Sequence, residues 1–150
     1  MKKLINVYQS ANSIDVALLI TRVGIAALML VHGLPKLGML LADAPVQFPA
    51  VLGLSANVSL ALAVFAEVLC SLLILVGLGT RLAAIPLIIT MLVAVFVVHG
   101  ADPFAKQEIG LLYLMPYIVL LLTGSGRYSL DYLVLQKVLC ARYERKLSIQ

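Results

Sequence analysis

The two histidines of this chain stand in matching phrases, each closing a long apolar run: Val31-His32-Gly33-Leu34-Pro35-Lys36 and Val98-His99-Gly100-Ala101-Asp102-Pro103, with Lys106 just beyond. Imidazole is the side chain that titrates nearest neutrality, so a repeated His-Gly followed by Lys points to proton exchange. Three acidic or basic groups share the apolar background: Arg22, Glu67 near the middle of a second apolar run, and Glu108 at the mouth of the last. Charges at such depth are costly and are kept where they pair or work. His32, Glu67 and His99 are therefore the candidates for handling protons. Lys36 and Glu108 are placed to guard a mouth, Tyr113 to donate to a carbonyl, and Arg22 completes the candidate ligand-contacting set. Arg22 lies deeper, on the opposite side, where Asp131 or tail carbonyls could pair with it. The alternative for the whole cluster is an interhelical polar network that only holds helices together. Two His on separate helices without Cys or carboxylate spacing make a weak metal signal, so no metal ligand is assigned and haem is disfavoured.

The elements that must position these groups follow from composition. The chain has 150 residues, 63% of them hydrophobic and 12% charged, with a mean hydropathy of +1.09. That is the composition of an integral membrane protein, with room for one domain over residues 1–150 and no second, soluble one. The expected fold is an all-α bundle of four transmembrane helices, spanning about 16–34, 58–78, 82–98 and 109–123. Pro86 and Pro116 fall inside spans, where they kink rather than end a membrane helix. Asn6 to Asp15 is too polar for a secretory core, so the first span is expected to act as an uncleaved anchor. Cys70 and Cys140 form no C-x-x-C pair, which disfavours a disulfide or thiol-exchange motif. No phosphate-binding glycine loop, Ser-His-Asp pattern or nucleic-acid module appears in the sequence.

Flanking charge sets the expected orientation. Lys2, Lys3, Arg81, Arg127, Lys137, Arg142, Arg145 and Lys146, eight residues, fall on one side, and only Lys36 and Lys106 on the other. The positive-inside rule then places both termini in the cytoplasm. Spans one and three run outward together, bringing His32 and His99 to the same outer depth. At ~100° per residue, Arg22, Met29, His32 and Lys36 share a face of the first helix within about 80°. Ala63, Glu67, Cys70, Ser71 and Ile74 form a stripe on the second. The long, apolar connection from Leu37 to Asn57 suggests a segment lying on or dipping into the outer interface. Residues 129–146 read as a C-terminal amphipathic helix, with Ser129 as N-cap and Asp131 in its first turn. A hairpin duplication is a further expectation. Thr21-Arg22 precedes His32 as Thr80-Arg81 precedes His99, and Gly77-Leu78-Gly79-Thr80-Arg81 is echoed by Gly124-Ser125-Gly126-Arg127. Chance similarity between apolar helices is the rival explanation.

Taken in order, these residues resemble the DoxX family of small four-helix membrane proteins. The resemblance runs from Leu18 to Asp131. It is carried by Arg22, His32-Gly33-x-x-Lys36-Leu37, Phe48 with Leu52-Gly53-Leu54, and Glu67 with Gly77-Leu78-Gly79-Thr80-Arg81. It continues through His99-Gly100, Glu108 with Leu112-Tyr113, and Gly124-Ser125-Gly126-Arg127-x-Ser129-Leu130-Asp131. Ser125 stands where the family often has proline. The resemblance implies a bacterial inner-membrane protein similar to membrane subunits of quinone-linked oxidoreductases. The cofactor is not fixed by it; a quinone or similar small hydrophobic redox molecule is the expected ligand. With no flavin fingerprint or thiol nucleophile in the sequence, an oxidoreductase partner subunit is expected beside the lipid bilayer, and a homo-oligomer is left open. The alternative function is a non-catalytic membrane scaffold or a small-molecule permease component.

Overall fold

The computed structural model describes residues 11–42 and 44–147, with side chains described as far as Val138. Lys2 and Lys3, which enter the charge asymmetry above, lie outside the described residues, as do the side chains of Arg142, Arg145 and Lys146. Among the described residues five helices follow one another: α1 (Ala11–Leu41), α2 (Ala56–Val76), α3 (Thr80–Val98), α4 (Phe104–Thr123) and α5 (Leu130–Leu147). The first four are long and apolar enough to cross a bilayer. They pack as two antiparallel hairpins, α1 with α2 and α3 with α4, and α2 packs on α3 to join them.

The packing is that of a protein dissolved in lipid. Large side chains such as Ile20, Leu28, Leu82, Phe96 and Leu122 point outward. Small ones such as Ala26, Ala66, Ala83 and Ala84 lie at the helix interfaces, where backbones must approach closely because apolar burial alone gives no advantage over lipid contact. Gly33 is the sharpest case: a Cβ there would lie 3.0 Å from the carbonyl oxygen of Glu67. Its lack of a side chain is what lets α1 approach Glu67.

Two departures from the sequence reading matter for the site. Pro35 does not end the first span. The helix runs to Leu41 and keeps Pro35 inside it, at the cost of one backbone hydrogen bond that a membrane helix tolerates. At 31 residues α1 is about 46 Å long, well beyond the ~30 Å hydrocarbon core, so its last turns carry Lys36 toward the interface. His32 and His99 therefore occupy different backbone settings: His32 is mid-helix, whereas His99 caps α3 with φ −106°. Secondly, α2 and α3 each contain a wide π turn, at Phe65–Cys70 and Ala94–Val98. Each inserts one extra residue into a turn, and such bulges recur at functional sites. Glu67 lies in the first and His99 directly follows the second.

The end of the bundle holding the α2–α3 turn is closed by polar contacts. Gly77 ends α2 in the left-handed conformation, φ +73°, with Leu78 N–H returning to the Leu73 carbonyl at 2.9 Å. Asp131 accepts from Gly79 N–H at 2.8 Å and Thr80 N–H at 3.4 Å, so it caps α3 from the first turn of α5. Ser129 caps α5 itself, accepting from Tyr132 N–H at 3.2 Å. Arg22 reaches into this knot from α1. It is 2% exposed, and its guanidinium donates to the carbonyls of Ser125 and Tyr128, both at 2.6 Å. Gly77 must be glycine for a second reason: a Cβ there would run into Arg22 and Ser129.

Candidate functional site

The other end of the bundle is open. Two cavities lie there, of about 380 Å³ and about 240 Å³, and Lys36, Glu67, Ala94 and His99 line both. The partition is an ion pair. Lys36 Nζ, in the last turns of α1, lies 2.5 Å from Glu67 Oε1 in the π turn of α2. Glu67 is buried, 3% exposed, while Lys36 is 29% exposed. The ammonium also lies 5.9 Å from the centre of the Phe48 ring, a cation–π distance. The second oxygen of Glu67, Oε2, is buried and accepts no hydrogen bond among the described residues. A buried carboxylate oxygen without a donor is expensive, and a ligand that donates to it would remove that cost.

The larger cavity is apolar apart from this end. Its roof is the connection between α1 and α2, which turns inward through Phe48, Pro49, Val51, Leu52 and Leu54. Two contacts hold that roof: Val51 N–H donates to Ser59 Oγ at 3.2 Å, and Lys36 meets Phe48. Leu52 takes φ +53°, costly for a residue with a branched side chain, so the turn is held by its surroundings. The walls come from α2 (Leu62, Ala63) and α3 (Ile89, Thr90, Val93, Val98). Thr90 donates its hydroxyl to the Pro86 carbonyl one turn back at 2.8 Å, which turns its polar atom away from the chamber.

The smaller cavity has the more polar lining. His32 and Tyr113 meet edge to face across it, ring centres 5.6 Å apart. His99 lines it too, with its Nδ1 2.8 Å from Asp102 Oδ2; Lys106 Nζ donates to the same oxygen at 3.3 Å. The Gln107 amide ties the turn together by donating to the carbonyls of His99 at 2.9 Å and Asp102 at 3.3 Å. The Asp102 carboxyl is held below its ordinary value of 3.8, first by its hydrogen bond with His99 and next by that with Lys106. The sign follows: a carboxylate depressed in the folded protein favours the ordered turn above the usual carboxylate range, and that preference is lost as pH falls through the lowered value. H99N is accordingly expected to move the NMR titration midpoint of Asp102 upward, while K106M moves it less; an unchanged midpoint in H99N contradicts the contact.

Of the residues singled out from sequence, the structure brings Lys36, Glu67, His99, His32 and Tyr113 together. It leaves two apart. Arg22 sits in the polar knot at the opposite end and touches neither cavity, because its two carbonyl acceptors are supplied by the Ser125–Tyr128 turn. Glu108 is exposed on α4 and lines neither cavity, since it lies off the face that carries Lys106, Gly110 and Tyr113. Among the described residues no group of three or more His, Cys, Asp and Glu is placed to hold a metal ion. Sequence reasoning passed over Asp102, Gln107 and Phe48 as site residues. An acid three residues after His99 is a legible signal for the first, whereas the π turns that aim Glu67 and His99 leave no mark in residue types.

Lys36 thus pairs with an intramembrane Glu67 in a cavity that also takes in His99. The sequence pattern of the DoxX family matches residues 17–100. The chain belongs to the DoxX family. A similar curated protein, 31% identical over 121 residues that cover 79% of this chain and 87% of the relative, is named "Putative oxidoreductase CatD", from Bacillus subtilis (strain 168). No solved structure matches. The DoxX match takes in Arg22, His32, Lys36, Glu67 and His99, and the likeness to CatD runs over 121 residues.

Proposed function

We propose that this DoxX protein binds a quinone, or a closely related small lipophilic redox molecule, in the larger cavity. The observation that carries the reading is an apolar chamber of about 380 Å³ lined at one end by Glu67 and Lys36, with one Glu67 oxygen accepting no hydrogen bond among the described residues. Ligand sites are of this kind: mostly apolar, a few hundred Å³, with a small number of converging polar groups. Lys36 can donate to a quinone carbonyl, and Glu67 can accept from the hydroxyl of a quinol, so both redox forms find a partner at one end of the chamber. The chain's own residues bind, orient and exchange protons; electrons come from a partner oxidoreductase subunit. In this reading the protein sits in the bacterial inner membrane as two duplicated hairpins, the cavities facing outward. The basic, amphipathic α5 lies at the cytoplasmic surface, where its cations meet anionic headgroups.

Equilibrium binding of a radiolabelled short-tailed quinone to the protein in lipid nanodiscs tests this. Saturable binding is expected, weakened roughly tenfold in E67Q, the worth of one hydrogen bond to a charged group. It is abolished in A63F, which fills the chamber. Binding that is absent, or indifferent to both changes, favours the scaffold or permease alternative.

A further inference from the structure

The two cavities share one wall but do not share a character. On the apolar side Glu67 meets aliphatic side chains and the Phe48 roof. On the other side it meets a chamber whose rim is His99, which also borders the apolar side, together with Lys106, His32 and Tyr113. The floor of that chamber is tight. Met29, Met91 and Val95 line it, and a Cβ at Gly110 would come within 2.5 Å of Val95 Cγ2, so the space closes toward the bundle core. What enters from the aqueous end and goes inward arrives at Glu67.

His99 stands at that entrance with its tautomer defined by its neighbour. A carboxylate can only accept, so the hydrogen between Asp102 Oδ2 and His99 Nδ1 is carried by Nδ1. In the neutral ring Nε2 is then the basic nitrogen, and it is the position that takes up or releases a proton. The ring is 38% exposed, and Gln107 fixes the turn that carries it. Asp102 stays anionic behind it and stabilises the imidazolium formed transiently.

We propose that the smaller chamber is a dedicated proton route between the aqueous face and Glu67, separate from the chamber that holds the lipophilic ligand. A proton from water binds His99 Nε2, crosses the vestibule through water, and is taken by the Glu67 carboxylate; release runs the same steps backward. Protonation of Glu67 removes the charge that holds Lys36, whose ammonium retains the Phe48 ring as its other neighbour. Occupancy of Glu67 by a proton is thereby coupled to the roof of the ligand chamber. The titratable groups around Glu67 are Lys36 and His32 from α1, His99 at the end of α3, and Lys106 and Tyr113 from α4. Tyr117 lies deeper on α4, Cys70 follows on α2, and Asp102 stands behind His99. The division of labour rests on the quinone reading for what the apolar chamber holds, but the route itself does not.

The test follows the carboxyl stretch of Glu67 by infrared spectroscopy after a pH jump, on ligand-free protein in nanodiscs, the band being assigned by its loss in E67Q. Protonation of Glu67 is expected to slow roughly tenfold or more in H99N, a rise of about 1.4 kcal/mol in the barrier. Imidazole added to the buffer is expected to restore it, as a diffusible base does when only a proton carrier has been removed. The proposal is overturned if H99N exchanges at the wild-type rate, if its slowing is not rescued by imidazole, or if Glu67 shows no protonated band at any pH. Quinone binding measured on the same samples separates the two readings: a wild-type protein that binds no quinone yet shows the His99-dependent exchange loses the proposed ligand and keeps the route.

Discussion

Arg22→Leu is expected to lower the stability of the folded bundle by about 3 kcal/mol, more than any single change at the open end. Two hydrogen bonds from a charged donor are lost, each worth about 1.5–3 kcal/mol, and the carbonyls of Ser125 and Tyr128 are left without donors in a buried knot. The partial offset is that a leucine in place of a 2% exposed guanidinium needs no desolvation. Arg22→Lys should recover only part of the loss, because an ammonium on a flexible stem cannot serve both carbonyls in the fixed fork of a guanidinium. The measurement is helix content against SDS mole fraction. R22L should unfold earliest and R22K between it and the wild type. Quinone affinity, measured where R22K is fully folded, should be unchanged within error, since Arg22 touches neither cavity. An R22K protein that is stable but has lost the ligand would move Arg22 into the binding site and break the division between the two ends.

Lys36→Met is the second large effect, and its partner change separates stability from function. Removing the ammonium leaves the 3% exposed Glu67 carboxylate without a counter-charge, which for a buried pair costs about 3–5 kcal/mol. Lys36 is 29% exposed, so water already shares its charge and a figure of about 2 kcal/mol is the sounder expectation. The double variant K36M/E67Q carries no buried charge and should regain most of the lost stability. The coupling between the two positions in a double-mutant cycle is then about 1–2 kcal/mol. The same double variant should bind quinone no better than E67Q alone. Restored stability with binding still weakened is the signature of a pair that is kept for its ligand. If K36M destabilises by no more than a few tenths of a kcal/mol, the ion pair is not the wall between the chambers.

Much of the architecture is legible in residue order because a bilayer narrows the options. Four apolar runs of near-spanning length must be helices, as their backbone groups have no water to bond. The spacing of Ala63, Glu67, Cys70, Ser71 and Ile74 was enough to identify the inward stripe of α2, all of it buried. The boundary at Pro35 was not legible. Proline is a stop signal in water, whereas here the helix continues to Leu41, and that extension is what delivers Lys36 to Glu67 as a side chain on a rigid turn. The π turns were not legible either, since a one-residue insertion into a helical turn changes which way Glu67 points without changing composition. Arg22 illustrates the opposite problem. Its type and depth were read correctly as demanding a partner, but a buried arginine that satisfies backbone carbonyls and one that grips a ligand look alike in sequence. Only the Ser125–Tyr128 turn, more than a hundred residues later in the chain, tells them apart. Glu108 is exposed because the cavity face of α4 runs through Lys106, Gly110 and Tyr113, a helical spacing that leaves position 108 off that face.

The claim on which the account depends is that a quinone-like molecule occupies the apolar chamber with its polar end at Glu67. A photoreactive short-tailed quinone, cross-linked to the protein in nanodiscs and mapped by mass spectrometry of its peptides, reads this directly. The account predicts adducts in the roof at residues 48–54 and on α3 at residues 89–98, displaced by excess unlabelled quinone and missing in A63F. Adducts confined to the outward faces of α4 or α5, or unaffected by A63F and by competition, would contradict it.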